Sequence, residues 1–199
     1  MNDIDFDLDK EAIRLPYTTE LASFCNPFSC KDPDLDDFFA NDALPYDSEM
    51  LGKTYAWVKK SEPKCILGMI TLANDSVKLR LIAKSAMNRL QRNVANPKRG
   101  INFPAVLIGR LGVSTDYMGL RIGTQIINFV KEWFQSRNNK TGCRFIVVDA
   151  YNNDKTLKFY SDNGFKLLYS SEREEREFLK LDSKESLATR FMFFDLKLK

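Results

Sequence analysis

The sequence predicts an α/β (α+β) fold in a single domain, and three observations predict it. Short apolar runs alternate with helical patterns of apolar residues, glycine and proline punctuate the joins, and no repeat or low-complexity tract interrupts them. A chain of 199 residues is long enough for one well-buried core. Residues 1–199 therefore read as one domain, with acid and apolar residues alternating over a loosely ordered segment 1–12.

Taken in order, Ile13–Tyr17 reads as a short strand that ends near Pro16. Asp32-Pro33-Asp34-Leu35-Asp36-Asp37-Phe38-Phe39 opens a helix: an acidic cap, proline in the first turn, carboxylates at the positive end, Leu35, Phe38 and Phe39 inward. Thr54–Val58 and Cys65–Leu72 read as antiparallel strands joined by the polar turn Lys59–Lys64. Residues 76–94 suit a helix whose inner face is Leu79, Ile82, Ala83, Ala86, Leu90 and Val94, stopped by Pro97-Lys98-Arg99-Gly100. Phe103–Val113 is a long apolar strand interrupted by Gly109 and Gly112, which suggests a bulge or a close approach. A helix starts near Ile122, with Ile126, Ile127, Val130, Trp133 and Phe134 on one side. Arg144–Ala150 is a short buried strand, Asn153–Asn163 a second helix stopped by Gly164, and Phe165–Tyr169 and Arg190–Leu198 the last strands.

Composition removes whole classes of chemistry. The chain has no histidine, so Ser-His-Asp and Cys-His catalysis and His-ligated metal sites are excluded. The four cysteines lack a zinc-type spacing and read as reduced, packed thiols; no metal is expected. The acidic start, Met1 to Asp7, does not resemble a secretory leader, and no apolar run approaches the ~20 residues of a membrane span. The expectation is a cytoplasmic protein with no membrane partner.

The net charge of +3 conceals an imbalance. Residues 1–49 hold 13 acidic and three basic groups, whereas no acid occurs between Asp75 and Asp116. That stretch carries Lys78, Arg80, Lys84, Arg89, Arg92, Lys98, Arg99 and Arg110. One-sign surface attracts polyanions, a phosphorylated cofactor or a nucleic acid alike; a solvated face balanced by the acidic N-terminal segment is the plainer reading.

Three features between Phe103 and Phe165 belong together. A strand runs into a glycine-bearing turn and a helix through Arg110-Leu111-Gly112-Val113 and Met118-Gly119-Leu120-Arg121-Ile122-Gly123-Thr124. Such a helix start offers free backbone N–H groups and a positive dipole end, which suits a diphosphate. A strand splayed at Gly109 or Gly112 would leave backbone groups for an extended, amide-bearing ligand. The helix Asn153–Asn163 then carries one tyrosine, Tyr160, near its end.

In order and spacing these features resemble the GNAT acetyltransferase fold. Its cofactor loop, Gln/Arg-x-x-Gly-x-Gly/Ala, falls on Met118–Gly123, and its later pattern Asn-x-x-Ala-x-x-x-Tyr-x-x-x-Gly-Phe falls on Asn153, Thr156, Tyr160, Gly164 and Phe165. The sequence departs from that loop twice: Met118 stands where Gln or Arg is usual, and Arg121 replaces the first glycine. Phe28–Phe38 and Leu107–Val113 further resemble the branch of acetyltransferase toxins that modify aminoacyl-tRNA.

The resemblance implies a mixed central sheet of about six to seven strands flanked by helices. It implies direct transfer of an acetyl group from acetyl-CoA, as co-substrate, to a primary amine in a ternary complex. Met118, Gly119, Leu120, Arg121, Ile122, Gly123 and Thr124 would cradle the diphosphate, and Leu111, Gly112 and Val113 would pair with the pantetheine arm. The Val113 N–H would polarise the thioester carbonyl, Tyr160 would protonate the departing thiolate, and Asn153 would steady its helix or touch the cofactor. The base is a carboxylate or water. The acceptor is open, aminoacyl-tRNA held by the Lys78–Arg110 stretch being one candidate; an antitoxin protein and a homodimer are further candidate partners. A non-catalytic module of the same fold, binding a coenzyme or a partner, is the alternative.

Overall fold

The computed structural model describes residues 6–78, 84–91, 102–182 and 186–197. Among these residues seven strands hydrogen-bond in the order β1-β2-β3-β4-β5-β7-β6: β1 Ala12–Pro16, β2 Lys53–Lys59, β3 Ile66–Lys78, β4 Asn102–Val113, β5 Phe145–Tyr151, β6 Lys166–Leu167 and β7 Thr189–Asp195. The sheet is mixed, because β4 and β5 run parallel while the β1–β2, β2–β3, β5–β7 and β6–β7 pairs are antiparallel. The α/β class and the mixed, helix-flanked sheet expected from the resemblance are what the chain adopts. It divides into two compact units, residues 1–74 with 108–133 and residues 75–107 with 134–199.

In the first unit the segment 1–12 holds a turn of helix, α1 (Leu8–Glu11), capped by Asp7 and anchored by the buried Leu8. Helix α2 (Thr19–Phe24) follows β1, and Asp32 caps α3 (Pro33–Asp37) with proline in its first turn, as the sequence predicts. The chain then passes through a wide helical turn at Phe38–Asp42 into α4 (Ala43–Ser48). Their apolar side chains, with Tyr17, close on Ala56, Val58, Ile66 and Met69 of the sheet around Phe39, which is 2% exposed. Helix α6 (Ile122–Gln135) buries Ile122, Ile126, Ile127 and Val130, the face that its period of 3.6 marks out.

In the second unit, β5 is apolar on both faces and pairs with β7 over seven residues, from Phe145↔Asp195 to Tyr151↔Thr189. Phe145, Val147, Leu168, Tyr169 and Phe193 pack with Ala86 and Leu90 of helix α5 (Lys84–Gln91). The helix expected from residue 76 begins later, because β3 runs on through Ser76, Val77 and Lys78. Leu79, Ile82, Ala83, Val94 and Pro97–Gly100 lie outside the described residues. Helix α7 (Asp154–Asp162) and helix α8 (Glu172–Leu179) complete this unit; α8, not expected from the sequence, carries four glutamates, of which Glu175 is buried. The strand expected over Phe165–Tyr169 shrinks to Lys166–Leu167, since Leu168 and Tyr169 turn into the core. Among the described residues no helix is long and apolar enough to cross a membrane.

Candidate active site

In the first unit, β4 leads through Ser114, a tight 3-10 turn at Thr115–Tyr117 and the loop Met118–Arg121 into α6. Several hydrogen bonds fix that path. Ser114 donates its N–H to the Leu67 carbonyl at 2.9 Å, and Thr115 donates its N–H (2.9 Å) and its hydroxyl (3.1 Å) to the Ser29 carbonyl. Lys59 Nζ donates to the Tyr117 hydroxyl at 2.9 Å and lies over its ring. Asp36 takes the Cys30 N–H and the Ser29 hydroxyl, each at 2.7 Å, so the Phe28–Phe38 segment becomes a rigid prop for the loop.

Gly112 explains the interrupted strand. A Cβ there would come within 3.1–3.2 Å of Phe39, Cys30 and Phe28, so the close approach inferred from the glycine is made by the chain's own side chains. Leu111, Gly112 and Val113 thus form the end of β4 against the Phe28–Phe39 segment.

The loop owes its course to two left-handed residues, Gly119 at φ 86° and Arg121 at φ 57°. Glycine enters that region freely, while for arginine the Cβ costs roughly 1–2 kcal/mol. The departure at Arg121 therefore preserves the backbone conformation a glycine would give, at the expense of strain. Gln125 holds the loop from behind: its Nε2 donates to the carbonyls of Phe6 (2.8 Å) and Leu120 (3.4 Å), and its Oε1 accepts the Leu8 N–H at 2.7 Å. No signal in the sequence singled out Gln125. The N–H groups of Gly119, Leu120, Arg121, Ile122 and Gly123 have no acceptor among the described residues. A helix start with unspent donors is a ready anion site. Met118 is exposed and extended, and Thr124 sits in the first turn of α6.

In the second unit, Asn153 caps α7: its side-chain oxygen accepts the Thr156 N–H at 2.9 Å. Of the two roles implied for Asn153, steadying the helix is the one its hydrogen bond serves. At the other end Gly164 takes φ 80°, the Phe165 N–H reaches back to the Tyr160 carbonyl (3.0 Å) and the Gly164 N–H to that of Ser161 (2.9 Å). This left-handed cap spends the last carbonyls of the helix and fixes the turn that carries Tyr160. The Tyr160 ring is 6% exposed and meets Phe159 and Phe165 edge-on at 5.1 and 5.3 Å. Its hydroxyl has no hydrogen-bond partner among the described residues, and burial pushes its pKa well above the ordinary phenol value. Such a phenol keeps its proton throughout the neutral range and is a donor rather than a base.

The remaining nucleophiles are subdued. All four cysteines are free. Burial and the Asp36 carboxylate raise the Cys30 thiol to about 12, and burial raises Cys143 to about 11. No cluster of metal-ligating side chains occurs among the described residues. In the basic stretch, Arg110 lies over the Phe38 ring, 3.8 Å from Asp34, and Arg89 sits 3.7 Å from Glu174, so both serve internal pairing. Arg80, Arg92, Lys98 and Arg99 lie outside the described residues.

The model of the acetyltransferase (GNAT) family matches residues 15–165. No curated protein matches the chain in sequence. Among solved structures, a mutant of KacT is 18% identical with a TM-score of 0.68, over 94% of this chain and 96% of that one. AtaT complexed with acetyl-methionyl-tRNAfMet is 18% identical with a TM-score of 0.61, over 99% and 92%. A mutant AtaT toxin bound to acetyl-CoA and the C-terminus of the antitoxin AtaR is 17% identical with a TM-score of 0.65, over 94% of both chains. At such identities the likeness concerns the fold.

Proposed function

Because this chain belongs to the acetyltransferase (GNAT) family, an acetyl-CoA-dependent class, we propose that it acetylates a primary amine by direct attack in a ternary complex. The observation that carries the reading is the loop ahead of α6, where Gly119 and Arg121 both turn left-handed and the N–H groups from Gly119 to Gly123 lack acceptors among the described residues. These donors, with Met118 and Thr124 at the margins, hold the diphosphate of the coenzyme. The main chain of Leu111, Gly112 and Val113 pairs with the pantetheine arm, and the Val113 N–H polarises the thioester carbonyl. A donor aimed at a developing oxyanion is worth roughly 2.7–4 kcal/mol.

The amine nitrogen forms the new bond to the carbonyl carbon as the carbon–sulfur bond breaks, and the proton that the nitrogen sheds passes to a carboxylate or water. Tyr160 gives its proton to the departing thiolate, a role favoured by its burial and by a hydroxyl that meets no acceptor among the described residues. Asn153 acts at one remove, by fixing the start of the helix that bears Tyr160. High thiol pKa values at Cys30 and Cys143 disfavour an acyl-cysteine route.

Aminoacyl-tRNA is the acceptor that the likeness to tRNA-bound AtaT favours, and an antitoxin the protein partner that the AtaR-bound structure favours. Titration with acetyl-CoA, followed by release of free thiol on adding amines, tests the enzyme reading. Binding with turnover is expected; binding without thiol release from any amine leaves the non-catalytic alternative. If tRNA carries the acceptor, turnover falls steeply with salt. Salt-independent turnover with a small amine removes the tRNA.

A further inference from the structure

Gln125 stands one turn into α6, and its side-chain amide joins three points of the main chain in the first unit. Its Oε1 accepts the Leu8 N–H at 2.7 Å, while Nε2 donates to the Phe6 carbonyl at 2.8 Å and, at the longer distance of 3.4 Å, to the Leu120 carbonyl. Both hydrogens of the amide and its oxygen are thus engaged.

The segment on which Gln125 leans is itself fixed at both ends. Asp7 caps α1: its carboxylate takes the Asp9 and Lys10 N–H groups at 3.1 and 3.4 Å, and its carbonyl takes the Glu11 N–H at 2.9 Å. The Leu8 N–H is the remaining donor of that turn, and Gln125 satisfies it. At the far end Lys60 Nζ donates to the Asp9 and Lys10 carbonyls at 2.9 and 2.8 Å, and the Lys60 N–H donates to the Glu11 carbonyl at 2.9 Å. The Leu8 side chain is buried. Gln125 therefore pulls against an anchored support.

What it pulls on is one peptide group. The Leu120 carbonyl and the Arg121 N–H belong to the same trans peptide, in which C=O and N–H point in opposite directions. With the oxygen turned back towards Gln125, the N–H is turned away from it, among the donors ahead of α6 that lack acceptors in the described residues. The same peptide sets the φ of 57° at Arg121. Rotating it by half a turn carries Arg121 to negative φ, where an L-residue is relaxed. That flip withdraws the Arg121 N–H and puts a carbonyl in its place, which repels a diphosphate. Arginine favours the flipped peptide; the bond from Gln125 opposes it.

We infer that Gln125, braced by segment 6–11, is a positioning residue of the coenzyme site, holding the Leu120–Arg121 peptide in the orientation that donates to the diphosphate. This assignment rests on the acetyl-CoA reading for the identity of the ligand. A glycine at 121 needs no such brace, since left-handed backbone is open to it without strain. Arg121 and Gln125 are two parts of one arrangement.

The full chain and three variants, Gln125→Leu, Arg121→Gly and the two together, are titrated with acetyl-CoA by calorimetry. Gln125→Leu weakens binding about tenfold (~1.4 kcal/mol), because only the unflipped fraction binds. In the Arg121→Gly background the same substitution weakens it about twofold or less, because glycine leaves the two orientations near balance. A side chain that merely supports α6 gives the same factor in both backgrounds, and equal factors overturn the assignment, as does full affinity in Gln125→Leu. Either result leaves the coenzyme reading standing; a wild-type chain that does not bind acetyl-CoA sinks both. Should Gln125→Leu not fold, amide exchange in the wild-type chain decides: acetyl-CoA slows exchange of the Leu8 N–H, which reaches the loop only through Gln125, and an unchanged rate overturns the brace.

Discussion

The loop Met118–Gly123 and the helix Asn153–Phe165 carry the two halves of the proposed chemistry in opposite ways. The loop works through its main chain. Its donors belong to peptide groups, and its shape is set by two positive φ angles and by Gln125 behind it. Side chains at Met118 and Arg121 can therefore depart from the family pattern, provided that the backbone follows the same course. The helix is capped by Asn153 and ended by Gly164, and in the proposed chemistry it works through one side chain, Tyr160, which leaves its sequence little freedom. A motif held in peptide groups tolerates substitution; a motif held in one hydroxyl does not.

The largest effect that sharpens this contrast is Tyr160→Phe. Removing the general acid lowers kcat on the order of 10²-fold or more while the acetyl-CoA Kd stays constant, measured by thiol release and calorimetry. A variant with near-normal kcat breaks the assignment of the helix half. Next is Gly164→Ala, which places a Cβ at φ 80° and 3.2 Å from Phe194; a loss of roughly 1–2 kcal/mol, read in urea unfolding, is expected together with lower kcat. Asn153→Ala removes the Thr156 hydrogen bond and costs about 1 kcal/mol by the same measurement, without weakening acetyl-CoA. A large loss of coenzyme affinity in that variant would instead make Asn153 a cofactor ligand.

On the loop side, Arg121→Gly relieves the left-handed strain and stabilises by up to about 1 kcal/mol, with coenzyme affinity retained or improved. If affinity collapses, the guanidinium and not the peptide groups holds the diphosphate, and the main-chain account of the loop fails. The smallest effect is an acid limb in the helix-bearing unit. The Glu172 carboxyl is held at about 2 by the Leu187 N–H first, then Asn152 and Arg176. A depressed carboxyl stabilises fully above its ordinary 4.5 and loses that contribution as pH falls from 4.5 towards 2. Glu172→Gln flattens this limb of an acid-unfolding curve, and an unchanged curve shows that other carboxylates dominate.

Much of the fold was legible because its signals are local. Apolar periodicity located β1, β2, β4, β5 and α6, and the Asp32-Pro33 and Asn153/Gly164 pairs marked helix ends that the structure confirms. The reading failed where tertiary context competes with pattern. Ser76–Lys78 looks helical in isolation but continues a long strand, and the glutamate-rich α8 gives no sign in its sequence that Glu175 is the buried one.

Residue types and spacings were enough to narrow the chemistry: no imidazole, a glycine-bearing strand–turn–helix, and a capped helix with one phenol. These are statements about residue types and spacings along the chain, which local backbone preferences translate directly into structure. Only the tertiary structure decided that Arg121 adopts a glycine's conformation, that Gly112 makes room for Phe28 and Phe39, and that Gln125 meets Phe6 and Leu8. Each depends on groups far apart in sequence brought within a few ångströms, and packing, not pattern, selects those neighbours.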